Sequence, residues 1–171
     1  MTHGFTIEAL ASLHDRKVFS SGPVPLDRYF RELVSQDIKR RISNCFVALD
    51  ADGVIAAYCT FAAASFPLTE LPAGKAERLP RYALVPAGLL GRLAVDQRFQ
   101  GRRLGSALIM DAATRAARAE PAIFALIVDA KDDAAVAFYE HQQFRRFASR
   151  PASLFLPIGT ALQALSAQPP C

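Results

Sequence analysis

Apolar and polar positions change their period several times along this chain, and each change marks an element. Phe5, Ile7 and Ala9 alternate with Thr6 and Glu8, which predicts a short first strand. Ser12 to Pro25 is polar and rich in turn formers, Ser20-Ser21-Gly22 among them. From Leu26 to Ile42 the apolar residues Leu26, Tyr29, Phe30, Leu33, Ile38 and Ile42 predict an amphipathic helix. Asp27 falls in its first turn and Lys39, Arg40 and Arg41 in its last, the signs a helix dipole favours. The apolar runs Cys45–Leu49 and Val54–Phe61 flank Asp50-Ala51-Asp52-Gly53 and predict an antiparallel hairpin. Phe66 to Gly88 then loses all periodicity and is broken by Pro67, Pro72, Pro80 and Pro86. A loop of that length in a compact domain is usually functional or mobile.

The second half is more regular. Gly88–Asp96 reads as a fourth strand, Asp96 to Arg103 as a polar basic loop, and Leu104, Ala107, Leu108 and Ala112 as the apolar stripe of a helix that ends at Glu120-Pro121. Ala122–Val128 is a continuous strand of buried type, so strand, helix and strand predict a right-handed parallel crossover. Asp132-Asp133 open a helix that runs through His141. Phe144–Phe147 and Ser153–Leu156 form a closing hairpin around Pro151, Ala161–Leu165 a short helix, and Ser166–Cys171 a frayed tail. The pattern is that of a single α+β domain over residues 1–165, with a mixed sheet and flanking helices.

Composition refines this picture. The 171 residues are 51% hydrophobic with a net charge of +4, which excludes a disordered chain. No apolar span reaches membrane-helix length, and MTHGFTIEAL lacks the basic and apolar regions of a secretory signal. The plain reading is a cytoplasmic protein without a membrane partner. Cys45, Cys59 and Cys171 make no C-x-x-C and no zinc pattern, so no metal is expected, and Cys45 and Cys59 read as small hydrophobes in apolar runs. His14 beside Asp15 reads as a surface pair, because adjacent residues rarely face each other. Charge is concentrated at Lys39-Arg40-Arg41, Arg98 to Arg103 and Arg145 to Arg150, and the long loop adds Lys75, Arg78 and Arg81. Singly, each cluster reads as solvated charge; together they suit a polyanion.

The candidate chemistry centres on Gly91 to Ala107, GRLAVDQRFQGRRLGSA. A strand, a basic turn with glycines and a helix aim backbone N–H groups and the positive end of a helix dipole at one point. Arg102 and Arg103 add full charges, so the site suits a phosphate or pyrophosphate. Neither G-x-G-x-x-G nor G-K-S/T is present, which excludes a Rossmann fingerprint and a P-loop.

Gln100, Gly101, Arg102, Arg103, Leu104 and Gly105 stand on the pattern Q/R-x-x-G-x-G/A, with Arg103 in the place of its glycine. Asp132 to Phe144, DDAAVAFYEHQQF, follows N-x-x-A-x-x-F/L-Y-x-x-x-G-F at Ala135, Phe138, Tyr139 and Phe144, with Asp132 for the Asn and Gln143 for the Gly. In these two blocks the chain resembles the GNAT N-acetyltransferases. Four further segments, F-S-S-G with L-D-R-Y within Phe19–Tyr29, G-R-L-A-V-D at Gly91–Asp96, V-D-A-K-D at Val128–Asp132 and P-A-S-L-F-L-P at Pro151–Pro157, are similar to the acetyltransferase toxins of bacterial toxin–antitoxin pairs.

The resemblance implies a mostly antiparallel sheet whose fourth and fifth strands splay apart, and acetyl-CoA as cofactor. It implies backbone contacts to pantetheine from Leu93, Ala94 and Val95, and a pyrophosphate seat on Gln100, Gly101, Arg102, Arg103, Leu104, Gly105 and Ser106. Asp132 adds a contact of its own, without the amide the family pattern has there. Tyr139 is the implied general acid. A thiol of pKa about 8.5 and a phenol of about 10 can exchange a proton when hydrogen-bonded. The implied acceptor is the α-amine of aminoacyl-tRNA and the implied partner a ribbon-helix-helix antitoxin, with DNA reached only through it; a homodimer stays open. An α-amine of pKa about 7.7–8.0 needs little help from a base, whereas a lysine of about 10.4 needs one nearby, and no Glu or Asp is an evident candidate. Lys39, Arg40, Arg41, Arg78, Arg81, Arg92, Arg145 and Arg146 are the candidate tRNA contacts. Two alternatives stay open: an acetyltransferase of a small amine or protein N-terminus, and a non-catalytic acyl-CoA-binding regulator suggested by Arg103, Asp132 and Gln143.

Overall fold

The computed structural model describes residues 4–79 and 81–167, apart from the side chain of Glu77. Cys171 and most of the tail expected from Ser166 lie outside the described residues. In chain order come β1 (Thr6–Ala9), α1 (Val24–Arg28), a π-helical turn (Tyr29–Leu33), α2 (Val34–Lys39), β2 (Asn44–Leu49), β3 (Ile55–Pro67) and β4 (Leu84–Val95). Then follow α3 (Leu104–Arg118), β5 (Ala125–Asp129), α4 (Asp133–His141), β6 (Arg145–Arg146), β7 (Ser153–Pro157) and α5 (Ile158–Ser166). The strands hydrogen-bond in the order β1-β2-β3-β4-β5-β7-β6. The β4–β5 pair is parallel, and β1–β2, β2–β3, β5–β7 and β6–β7 are antiparallel. This is the mixed, mostly antiparallel sheet of an α+β fold.

Contacts divide the chain into two compact units, one of residues up to Ala62 with Leu90–Asp111, the other of Ala63–Leu89 with the residues from Ala112 onward. In the first unit the predicted hairpin forms between β2 and β3. Gly53 takes φ +80°, and the Asp50 carboxylate accepts the N–H groups of Asp52 and Val54 at 3.0 and 2.8 Å. Three aromatic rings of this unit's core pack on one another, with Phe30 stacked on Tyr58 at 4.1 Å and Phe19 edge-on to both. Offset and edge-on rings add about 0.5–1.5 kcal/mol per pair beyond their buried area. The Tyr58 hydroxyl is satisfied by donating to the Leu26 carbonyl at 2.8 Å, which fixes the helical layer on the sheet.

The helix expected over Leu26–Ile42 starts at Val24, where Pro25 fills a first-turn position, and carries a π-helical turn at its centre. It ends at Lys39 because Arg41 adopts φ +59°. Arg41 N–H then bonds the Ile38 carbonyl and Ile42 N–H the Asp37 carbonyl, a Schellman stop. His14 overturns its surface expectation. It is buried, accepts the Ala11 N–H at 3.0 Å and contacts the Glu8 carboxylate at 2.8 Å, so a local turn folds the ring inward.

In the second unit the core is Phe66, Leu71, Val85, Ala87, Ala125, Phe147 and Phe155. The long loop is shorter than expected. It occupies residues 68–83, because the apolar positions at either side join β3 and β4. The Leu68 N–H donates to the Ala83 carbonyl at 3.2 Å and closes its base. Cys45 and Cys59 are buried, and burial pushes the Cys45 thiol up to about 12. No described helix is long and apolar enough to cross a membrane, and among the described residues no three His, Cys, Asp or Glu side chains gather as metal ligands.

Candidate active site

The first unit carries the basic loop, and Asp96 organises it. Asp96 is 1% exposed. Its carboxylate accepts the Ser20 N–H at 3.1 Å, the Arg98 N–H at 2.9 Å and the Arg98 guanidinium at 2.9 and 3.0 Å, and so caps the short 3-10 helix at Gln97–Phe99. Burial opposes its ionisation, but these hydrogen bonds prevail and hold the carboxyl below its ordinary range. The next tie is Gln100, whose side-chain amide donates to the carbonyls of Val95 and Ser21 at 3.2 and 3.3 Å. The first residue of the Q/R-x-x-G-x-G/A pattern thus braces the loop against the end of β4.

The chain then turns through two left-handed residues, Gly101 at φ +81° and Arg103 at φ +58°. Arg103 stands at the family's glycine and keeps a glycine's conformation. The turn leads directly into α3, whose first recorded ladder bond runs from the Ala107 N–H to the Arg103 carbonyl. The N–H groups of Leu104, Gly105 and Ser106 therefore precede the ladder and sit at the positive end of a 15-residue helix. Arg102 lies over the Phe99 ring at 5.5 Å and is exposed, as are Gly101 and Arg103.

The end of β4 has a definite polarity. The Asp96 N–H donates to the Ala56 carbonyl on β3 at 2.8 Å. Successive N–H groups of an extended chain point to opposite edges, so the Val95 N–H and carbonyl point away from β3. The Gln100 contact to the Val95 carbonyl agrees. Parallel pairing of β4 is recorded from Ala87 to Leu89 only, and the strand continues to Val95. Ala94 is buried in the aromatic core, while Leu93 and Val95 are half-buried. The loop and strand end therefore present the donors that a pyrophosphate and a polarised carbonyl require.

The second unit carries the other block. Asp132 is the N-cap of α4 and accepts the Ala135 N–H at 2.8 Å. An Asn caps equally well, so the departure from the family residue keeps the local structure. Tyr139 is 9% exposed and packs edge-on to Phe138 and Phe144, at 5.1 and 5.4 Å. Gln143, at the family's glycine, adopts φ +75°. Its N–H bonds the Glu140 carbonyl, and the Phe144 N–H bonds the Tyr139 carbonyl. The Y-x-x-x-G-F pattern is thus a Schellman stop with its apolar clasp between Tyr139 and Phe144. Tyr139 has a packing role as well as any chemical one.

The candidate basic residues fare differently. Lys39, Arg40, Arg41, Arg78, Arg81 and Arg145 are exposed. Arg146 pairs with Glu140 at 2.8 Å. Arg92 is half-buried, with its guanidinium 3.5 Å from the centroid of Tyr29, whose hydroxyl donates to Asp37 at 2.7 Å. Sequence reasoning missed what Ser20 and Ser21 do. Their backbone groups hold Asp96 and Gln100, while the Ser21 N–H and hydroxyl are held by buried Asp27 at 2.9 and 2.6 Å. The available signal was a Ser-Ser-Gly turn followed by an acidic residue inside an apolar helix face.

A model described as the acetyltransferase (GNAT) family matches residues 7–144. The tRNA-acetylating toxin of Mycobacterium tuberculosis is 36% identical over 149 residues, covering 86% of this chain and 88% of the relative. The structure of a tyrosine-to-phenylalanine mutant of KacT is 26% identical with a TM-score of 0.85, covering 94% of this chain and 99% of that one. A mutant of AtaT bound to the C-terminus of the antitoxin AtaR and acetyl-CoA has the same fold, at 23% identity and a TM-score of 0.77 over 96% of this chain and 99% of that one. With the loop, the cap and the stop of both sequence blocks in place and the family matched over most of its length, the chain belongs to the GNAT acetyltransferases.

Proposed function

We propose that this protein transfers the acetyl group of acetyl-CoA to the α-amine of aminoacyl-tRNA, and that it acts as a toxin blocking translation until a ribbon-helix-helix antitoxin binds it. The observation that carries this reading is the near full-length similarity to the tRNA-acetylating toxin. Contact with DNA is then indirect, through the antitoxin. Acetyl-CoA supplies an activated thioester. The N–H groups of Leu104, Gly105 and Ser106 hold its pyrophosphate, with Arg102 and Arg103 adding charge. Leu93, Ala94 and Val95 offer backbone groups to pantetheine, and the Val95 N–H donates to the carbonyl oxygen as negative charge develops on it. A donor of this kind is worth roughly 2.7–4 kcal/mol. Tyr139 gives its phenolic proton to the departing thiolate. Asp132 and Gln100 shape the two segments without touching the reacting atoms. Lys39, Arg40, Arg41, Arg78, Arg81, Arg92, Arg145 and Arg146 are the cations from which the tRNA contacts are drawn.

The test incubates the full chain with labelled acetyl-CoA and bulk charged tRNA, with deacylated tRNA as control. Label on the charged pool alone is the expected result. Brisk acetylation of a polyamine or peptide with none on tRNA overturns the acceptor and leaves the family unchanged. Gly105→Glu, which sets a carboxylate in the first turn of α3, is expected to abolish acetyl-CoA binding by calorimetry; retained affinity removes the loop from the reading.

A further inference from the structure

We infer that Lys75, Arg78 and Arg145, all in the second unit, form one seat for the phosphodiester backbone of the acceptor RNA; the inference rests on the tRNA reading above. Three observations bring these cations together. The Lys75 ammonium lies 5.8 Å from the centroid of the buried Phe155 ring. Arg145 is the cross-strand partner of that same Phe155 in the β6–β7 pair, and side chains so paired are neighbours on one face of the sheet. Arg78 belongs to the turn that Lys75 opens, its N–H donating to the Lys75 carbonyl at 3.3 Å.

The cluster is electrostatically loaded. Partial burial lowers the Lys75 pKa from its ordinary value, and the like charges of Arg145 and Arg78 lower it further. A long flexible side chain normally escapes such a field by turning to water. Here the loop that carries it is clamped. The Glu70 carbonyl accepts the Ala148 N–H at 3.0 Å, its carboxylate accepts the Ser149 N–H at 3.1 Å, and the Ser149 hydroxyl donates to the other carboxylate oxygen. Leu71, next in the chain, is buried in the core. The loop is therefore anchored to the segment that follows β6, and its cations are presented together with Arg145. The adjacent Arg146 is instead paired with Glu140.

A ligand with closely spaced negative charges relieves this repulsion, and arginine forks match phosphate oxygens. The same loop holds Tyr82 72% exposed, beside Arg81. An exposed aromatic among cations is a stacking surface for unpaired bases, which an acidic peptide lacks. These features favour RNA with a single-stranded end.

The experiment measures binding of deacylated bulk tRNA to the full chain as a function of salt, with acetyl-CoA affinity and melting temperature as controls. Lys75→Gln and Arg145→Gln are each expected to weaken tRNA binding and to flatten the slope of log affinity against log salt by about 1. Lys75→Arg is expected to keep the parent slope. Both Gln variants binding tRNA with the parent's affinity and slope overturn the seat, as does a parent that binds no tRNA. So does loss, in the variants, of binding to a polyglutamate peptide with tRNA binding intact. If the parent acetylates charged tRNA while the variants behave as parent, the seat is wrong and the tRNA reading stands. If the variants lose tRNA binding but the parent transfers no acetyl to charged tRNA, the seat stands and the acceptor is wrong.

Discussion

Each unit contains one segment built on the same local devices, an aspartate cap and a non-glycine residue in the left-handed region. In the first unit these are Asp96 and Arg103, in the second Asp132 and Gln143. The devices do different amounts of work. Asp96 is buried, collects backbone N–H groups from Ser20 and Arg98, and receives a guanidinium. Asp132 is exposed, and its carboxylate accepts the N–H of Ala135, a neighbour in the chain. The first segment is shaped by contacts more than seventy residues apart in the chain. The second is an ordinary capped helix that holds one aromatic residue of chemical interest. The loop proposed to hold acetyl-CoA has to be rigid along its whole backbone, whereas the proposed proton donor needs only one side chain held in place.

The largest effect that tests this contrast lies in the second segment. Tyr139→Phe is expected to preserve the fold, the Phe144 contact and acetyl-CoA binding, and to lower turnover roughly 10²–10⁴-fold, the range for general acid catalysis. Steady-state rates with calorimetry of cofactor binding check this. A variant that turns over within a few-fold of the parent leaves Tyr139 as the apolar clasp of a helix stop and nothing more.

The next effect lies in the first segment. Asp96→Ala removes a cap and leaves the Ser20 and Arg98 N–H groups without their acceptor, a cost of about 2–4 kcal/mol. The Arg98 pairing adds little to this, since that side chain is 51% exposed. In a chain of this size the melting temperature falls by roughly 4–16 °C, and cofactor affinity falls with it because the loop loses its brace. The pH dependence has a fixed sign. The folded-state pKa of Asp96 lies below its ordinary 3.8, so its contribution is fully present above that value and is lost as pH falls through the lower one. Acid melts of parent and Asp96→Asn are expected to converge in that window. By contrast, Asp132→Ala is expected to cost only about 1 kcal/mol and Asp132→Asn almost nothing. Equal losses at Asp96 and Asp132 in thermal melts would erase the distinction between the segments.

What was legible in the sequence follows the same division. Local devices were readable: the Asp50–Gly53 turn, the Asp132 start of α4 and the strand–loop–helix around Gln100 all follow from neighbours in the chain. The succession of strands along the chain followed from periodicity; β4 was cut short at Pro86, and β3 at Phe61, where Ala62-Ala63-Ala64-Ser65 carries no clear alternation. Long-range ties were not readable. Nothing near Asp96 announces that Ser20 will meet it, nothing near His14 announces burial against Glu8, and nothing in the basic clusters separates Arg146, paired with Glu140, from Arg145. Spacing reports which residues share a face. It does not report which cations the tertiary fold has already paired.

The smallest effects compare Arg103 and Gln143, the left-handed non-glycine residues of the two segments. A side chain at positive φ is strained by contact between Cβ and the backbone, and glycine removes that contact while losing more chain entropy on folding. Where the conformation is left-handed, the strain outweighs the entropy, so Gln143→Gly and Arg103→Gly are each expected to stabilise the fold by about 0.5–1 kcal/mol. The two should part company in function. Gln143 sits in a helix stop whose hydrogen bonds come from the backbone alone, so its glycine variant should keep cofactor affinity and turnover. Arg103 supplies a charge beside the N–H groups of Leu104 to Ser106, so its glycine variant should be more stable yet bind acetyl-CoA more weakly. That loss should shrink as salt is raised, as screening of a charge–phosphate contact requires. Calorimetry at two salt concentrations reads both quantities on the same samples. If Arg103→Gly binds acetyl-CoA as tightly as the parent at low salt, Arg103 holds the turn by conformation alone, and the pyrophosphate is left to the backbone and Arg102.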